Sequence, residues 1–349
     1  MKKALIITLL LAGAALARHE YYDEFSRAAE TIDEVVIDCP VGKITCEPAG
    51  DNNLTIHVKK IIFLSDESEA KEYADACKAK FEVNNKTLNM KIDFLPAKRY
   101  IKGVFDKLYS GNLNDDLEIL IKVSLPPGTR LLINTASADI FAADLKNDII
   151  IDGSSADIIF ENVNGNCEID LSSGDLEARN FKGDISLDGS SSDVDLIGIE
   201  GDIEISTTSG DGVIEDVEGN IKMRTSSGDI KICNLLGNLD HKSTSGDLGA
   251  ENISGSVEAG SSSGTINLDR LTNTEGIFHI ETTSGDVYIE VGTGFGGDLE
   301  LETISGDIHS QLGLTFNKYS ESYLAGSIGQ GAGKINIETS SGDIILGSY

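Results

Sequence analysis

The sequence predicts an all-β chain: a parallel β-solenoid of 18-residue coils, right-handed, preceded by an N-terminal β-rich cap that contains one helix. Three observations carry this reading. Aspartate recurs at 139, 157, 175, 193, 211, 229 and 247, each step being 18 residues. Apolar residues fall into columns with the same step, such as Ile149, Cys167, Ile185, Ile203 and Ile221. Within each unit the apolar residues alternate with polar ones and are separated by Ser, Gly and Asp, which is the pattern of strands joined by turns. Like residues one repeat apart mean stacked, in-register strands, each coil burying the face of its neighbour. The apolar offsets fit a nine-residue half-repeat better than the six-residue period of the left-handed hexapeptide helix, so a right-handed coil is expected.

Residues 1–17 read as a secretory signal peptide. Met1-Lys2-Lys3 is a basic start, Ala4 to Leu16 is almost wholly apolar, and Ala15-Leu16-Ala17 is a small-x-small cleavage site. The apolar run is too short for a transmembrane span, and no later run is longer. Export to the periplasm, cell surface or medium is therefore expected.

Residues 18–130 do not follow the period and are expected to cap the first coil's open edge. Val35-Val36-Ile37, Lys43-Ile44-Thr45, Leu54 to Val58, Phe81-Glu82-Val83, Leu88 to Ile92 and Leu117 to Val123 read as strands. Asp66 to Ala79 reads as a helix, with Ser65 as its cap. Lys98-Arg99-Tyr100-Ile101-Lys102 is the one basic cluster, read as a solvated loop or a contact with an acidic partner.

Residues 131–349 are expected to form the solenoid. Further columns are Leu145, Val163, Phe181, Ile199 and Val217, and Ile151, Ile169, Leu187, Ile205, Met223 and His241. The polar entry His241 is expected in a locally open coil, its ring reaching water. The repeat continues through Thr265, Asp286, Asp307 and Asp343, giving eleven copies. The last step of 36 reads as two coils of 18, with an inserted loop around Tyr319 to Gly333.

The Ser of each copy (137, 155, 173 and onward) is expected to point inward at a corner, the following Gly to tolerate a positive φ, and the Asp to accept backbone N–H groups in an Asx-type turn. A second reading of the acid column is Ca²⁺ binding. The Gly-Gly-x-Gly-x-Asp signature is absent, however, and one Asp per coil falls short of the six to eight oxygens that Ca²⁺ takes. A column of Thr207, Thr225, Thr282, Thr303 and Thr339 suggests ice binding, but parity turns it inward.

The 349 residues carry 28 Lys+Arg against 58 Asp+Glu, a net charge of −30. That balance excludes a nucleic-acid partner of the usual kind, since phosphate contacts need basic stripes. The five cysteines cannot all pair, and Cys39 and Cys46, flanking a turn, are the one candidate bridge. Gly260-Ser261-Ser262-Ser263-Gly264 matches the nucleophile-elbow pattern but lies in a repeated corner, without the required strand-to-helix turn. Arg179, Arg224 and Arg270 fall on different outward columns. No catalytic, cofactor-binding or metal-ligating residue is assigned.

The signal peptide, the β-rich cap ending in Leu125-Pro126-Pro127-Gly128, and the Ser-Ser-Gly-Asp-Ile units closing with Ile335 to Ile344 resemble the bacterial "putative adhesin" family of exported β-strand-repeat proteins, a domain of unknown function. The resemblance covers nearly the whole mature chain. It implies an exported, non-enzymatic β-solenoid at the cell envelope, contacting a protein or polysaccharide there. The rival readings are an envelope sensor or regulator that binds a peptide or protein, and a β-helix carbohydrate-active enzyme with a groove where Asp, Lys and Arg converge.

Overall fold

The computed structural model describes residues 17–92 and 117–349. Most of the signal-peptide segment and the basic cluster Lys98 to Lys102 lie outside the described residues. The chain is a parallel β-solenoid with two long sheets of 15 and 16 strands among the described residues. Each coil contributes one strand to each sheet. Cys167–Ser173 pairs with Ile149–Ser155 and Ile185–Ser191 in one sheet, and Leu176–Lys182 pairs with Ile158–Glu161 and Val194–Glu200 in the other. Register is offset by one repeat throughout: Ile149 faces Cys167 and Ile158 faces Leu176. The in-register columns meet between the sheets as one continuous core. It includes Phe160 and Phe181 of successive coils, with ring centroids 5.7 Å apart. Burying both inner faces supplies the main stabilisation, about 1.5–3 kcal/mol per large apolar side chain.

The cap is built from strands β1 (Arg18–Ala28), β2 (Glu34–Asp38), β3 (Val41–Pro48) and β4 (Asn53–Phe63), helix α1 (Glu67–Ala76), and strands β5 (Ala79–Asn84), β6 (Thr87–Ile92) and β7 (Leu117–Leu125). Strands β2 and β3 run parallel to the first two repeat strands, Arg130–Thr135 and Ser137–Ala143, with Ile37 facing Ile133 and Ile44 facing Ile140. On their other side lie β6 and β7, also parallel, with Ile37 facing Met90 and Ile44 facing Ile121. The parallel stack therefore extends past residue 131 into the cap, and its outermost coil comes later in sequence than the coil beneath it. Antiparallel strands finish this end: β4 on β7, β1 on β4, and β5 on β6. The edge strand β1 carries Arg18, Glu20, Asp23, Glu24 and Arg27. Charges along an edge disfavour pairing with another chain.

The opposite end uses the same device, which corrects the reading of the 36-residue step. The last strands in sequence, Gly333–Thr339 and Ile344–Ser348, are inserted between coils that precede them. Ile335 faces Phe278 on one side and Leu299 on the other. Ile344 likewise faces both Val287 and Ile308. A hairpin, Thr315–Ser320 with Tyr323–Ile328, lies antiparallel on the outermost strand Gly297–Thr303. The spatial order of the repeat aspartates is thus 286, 343, 307.

Helix α1 is shorter than the expected 66–79, because Ala79 already belongs to β5. Its cap is Asp66 rather than Ser65: the Asp66 Oδ1 accepts from the Glu69 N–H at 2.8 Å. Ala70 and Ala74 face the core. The Lys60 side chain, 3% exposed, reaches beneath the helix, and its Nζ donates to Asp23 Oδ2 at 2.8 Å and to the Ala74 carbonyl at 3.0 Å. The same Asp23 oxygen accepts from the Ala79 N–H at 3.0 Å. One buried pair thereby ties together β1, β4, α1 and β5. No helix among the described residues is long and apolar enough to cross a membrane.

All five cysteines are free thiols, so Cys39 and Cys46 are not bridged. Cys39 follows a strand of one sheet and Cys46 sits within the other. The Cys39 thiol donates instead to the Val41 carbonyl at 3.0 Å. Burial pushes the thiols of Cys39 and Cys46 up to about 12 and that of Cys77 up to about 11. They behave as small apolar fillers and not as nucleophiles.

Candidate binding surface

The surface is organised by the corners. From Asp157 to Asp247, and again at Asp286 and Asp343, the repeat Asp accepts a backbone N–H from the next coil, not from its own turn. Asp193 Oδ1 accepts from the Asp211 N–H at 2.8 Å, Asp211 from Asp229 at 2.9 Å, and Asp229 from Asp247 at 2.9 Å. The run reaches Thr265, whose side chain supplies no carboxylate, and resumes from Asp286 to Asp343 to Asp307. This replaces the expected Asx turn. Stacking brings the neighbouring N–H closer to the carboxylate than any N–H of its own corner. Each such bond is charge-assisted, which offsets the repulsion between carboxylates stacked one strand spacing apart.

A second ladder lies nine residues out of phase, at Asp148, Asn166, Asp184, Asp202, Asn220, Asn238 and Ser256. There Asp184 Oδ1 accepts from the Asp202 N–H at 2.9 Å, and Asp202 Oδ1 from the Asn220 N–H at 2.8 Å. Both ladders occupy the residue just before a strand begins. Replacing Asp202 by Ala should cost about 1 kcal/mol, read as a shift in urea midpoint. Asp202→Asn should be nearly neutral, because Asn already serves at 166, 220 and 238.

A third column was legible in the sequence but not singled out there. Asp144, Asn162, Asn180, Asp216, Asn234 and Asn252 all adopt φ between 54° and 59°, Gly198 stands among them at 71°, and Arg270 ends the column at 54°. Asn and Gly are the residues that tolerate this left-handed conformation. The Asn amides donate along the stack, as Asn252 Nδ2 does to Asn234 Oδ1 at 2.9 Å. A column of Asn and Asp with one Gly at a constant step was the available signal.

The repeat serines do not point inward. Ser137, Ser155, Ser191, Ser227 and Ser245 are exposed, because the strand alternation ends at the corner before reaching them. The inward corner position is two residues earlier and holds the Thr column, with Thr207, Thr225, Thr282, Thr303 and Thr339 buried. His241 is likewise fully inside, 1% exposed, so its coil is not open to water.

Basic side chains bridge neighbouring coils on the outer faces. Lys182 meets Glu200 at 2.6 Å, Lys242 meets Glu258 at 2.8 Å, and Arg179 meets Asp195 at 3.0 Å. Arg270 reaches Glu251 at 2.8 Å and Arg224 reaches Asp240 at 2.5 Å. All but the half-buried Arg224–Asp240 pair are exposed, worth about 0–1 kcal/mol each. The three solenoid arginines therefore cross-link coils and do not converge. A shallow groove of about 840 Å³ runs across successive coils past Asp148, Glu168, Asp184, Asp202 and Glu204, with Arg130 and Lys222 at its ends. A second groove of about 450 Å³ shares Asn220 and Lys222 with it and continues to Ile277 and His279. Among the described residues, no three His, Cys, Asp or Glu side chains gather where one metal ion would reach them. The Gly260 to Gly264 motif lies at the end of Val257–Ser263, a strand held in parallel on both sides, and not at a strand-to-helix turn.

The family model described as Toastrack DUF4097 matches residues 32–252 and 201–346. A search of curated proteins finds no match. Among solved structures, the chain is similar to a "putative cell adhesion protein" from Clostridium sporogenes, at 11% identity over 95% of this chain and 100% of that chain, with a TM-score of 0.21. It is also similar to a "putative adhesin" from Bacteroides fragilis, at 12% identity over 94% and 97% of the two chains, with a TM-score of 0.23. A third is a "putative lipid binding protein" from Parabacteroides distasonis, at 11% identity over 94% and 96%, with a TM-score of 0.29.

Proposed function

The chain belongs to the Toastrack DUF4097 family, and from that premise we propose that it is an exported, non-enzymatic β-solenoid of the cell envelope that acts by multivalent contact with a protein or polysaccharide. The observation that carries this reading is the regularity of the outer faces. Corner side chains are held coil to coil by the hydrogen-bonded ladders, so small polar groups, mostly Asp and Asn, recur at each strand spacing along the stack. A rigid array of weak, similar contacts gains avidity without any single deep site. Its ion pairs run between coils and stiffen the array. The −30 charge directs the array away from nucleic acid.

A second reading, a sensor or regulator that binds a segment of a partner protein, is favoured by the grooves past Asp148, Asp184 and Asp202. Their acids would take an extended chain bearing Lys or Arg.

Protease treatment of intact cells, combined with deletion of the gene, separates the two. The adhesive reading expects the protein to be degraded from outside and cell binding to fall on deletion. A protein that external protease cannot reach, with cell binding unchanged on deletion, overturns it.

A further inference from the structure

We propose that His241 makes the middle of the solenoid an acid-triggered break point, closed at neutral pH and opened as the surroundings acidify. This goes beyond the adhesive reading and does not depend on it.

His241 lies in the strand Leu239–Ser245, paired in register with Met223 on one side and Ala259 on the other. Its ring is 1% exposed, and neither Nδ1 nor Nε2 has a hydrogen-bond partner. The facing sheet presents the apolar side chains of Ile232, Ala250 and Leu268 to the interior. The charged groups of the surrounding strands all project from the outer faces. On its own strand these are Asp240 and Lys242. On the two flanking strands they are Lys222, Arg224 and Glu258. On the facing strands they are Lys231, Glu251, Asp269 and Arg270, the last paired with Glu251. Two of them act on the ring. Arg224 disfavours a second positive charge, Asp240 favours one, and the two are already paired with each other. A cationic imidazole in this position would be buried with no acceptor. Burial, reinforced by Arg224, lowers the ring from its usual 6.5 to about 4.

The sign follows from which state takes the proton. Between pH 6.5 and about 4, an opened coil binds a proton that the closed coil refuses. Stability is therefore complete above the unfolded value and drains away as pH falls through that window. A solenoid is held by contacts between nearest neighbours. Opening this one coil parts the stack into two blocks and bares the strand edges of Ile221–Ser227 and Val257–Ser263, which then become templates for pairing with other chains.

Amide hydrogen exchange on the full chain at pH 6.5 and 4.5, corrected for intrinsic rates, tests this, comparing wild type with His241→Met. Met is already the neighbour at 223. The wild type should show opening of residues 239–263 increased about 40-fold between pH 6.5 and 4.5 relative to the variant. An equal response in both proteins, or opening confined to other coils, overturns the proposal. Should His241→Met fail to fold, the ring is titrated directly by NMR in the wild type. A His241 that titrates near 4 supports the break point, and one that titrates near 6.5 overturns it.

Discussion

Replacing Lys60 by Ala should destabilise the N-terminal cap by about 3–5 kcal/mol, the usual cost of leaving half of a buried pair unmatched. Among the described residues Lys60 is the one buried Lys, Arg, Asp or Glu side chain, and its ammonium is shared between Asp23 and the carbonyl of Ala74 at the end of α1. Without it, Asp23 keeps only the Ala79 N–H, and the last turn of the helix loses an acceptor's partner. Differential scanning calorimetry should show the cap separating as an earlier transition. The double variant Lys60→Met with Asp23→Asn should recover most of the loss, since removing both charges removes the desolvation as well. If the single and double variants are equally unstable, the pair is not what holds the cap.

The second large effect concerns the corners. Gly210 has φ of +133°, and a Cβ there would meet the Ser192 carbonyl oxygen at 2.0 Å. Gly210→Ala should cost about 3 kcal/mol, combining backbone strain with overpacking. Yet Ala156 and Ser192 hold the equivalent position with buried side chains, on a backbone that has left the positive-φ region. In those two coils the residue three before is Gly153 or Gly189, and a Cβ on Gly189 would meet Ser192 Oγ at 3.2 Å. The interior corner thus has room for one side chain. It comes either from the Thr column, as at Thr207 with Gly210, or from the next position, as at Gly189 with Ser192. The first repeat coil is the exception, holding both Thr135 and Ala138. Thr207→Gly combined with Gly210→Ala should therefore be more stable than Gly210→Ala alone in urea unfolding. If the added Gly makes matters worse, the two positions do not exchange the same space.

The corner exchange also explains a gap in what the sequence conveys. Gly153, Leu171 and Gly189 look like interruptions of a Thr column, and strand parity says only that the column faces inward. The compensation becomes visible once Ala156 and Ser192 are seen to turn their side chains into the same space. Parity fails in the same way for the repeat serines, because alternation holds along a strand and ends where the chain bends. His241 was misplaced for a related reason. A polar residue in an apolar column suggests an opening, but the strands on either side hold its backbone in register whatever the side chain is.

By itself the sequence determined the 18-residue step, the two-stranded coil, the apolar columns and hence a stacked parallel architecture, because each of these is a repeated local pattern. The tertiary structure alone decided the order of coils at both ends. Residues 34–48 lie beneath the coil formed by β6 and β7, and residues 333–348 are inserted beneath an earlier coil. Any strand with the right columns satisfies an open edge equally well, so the repeat cannot say which copy is its neighbour. That choice rests on the connections, the antiparallel strands and the buried Lys60 pair, none of which repeats. The same reason governs the aspartates. The period placed them in a column, and only the stacked backbone settled that each one holds the coil next to it.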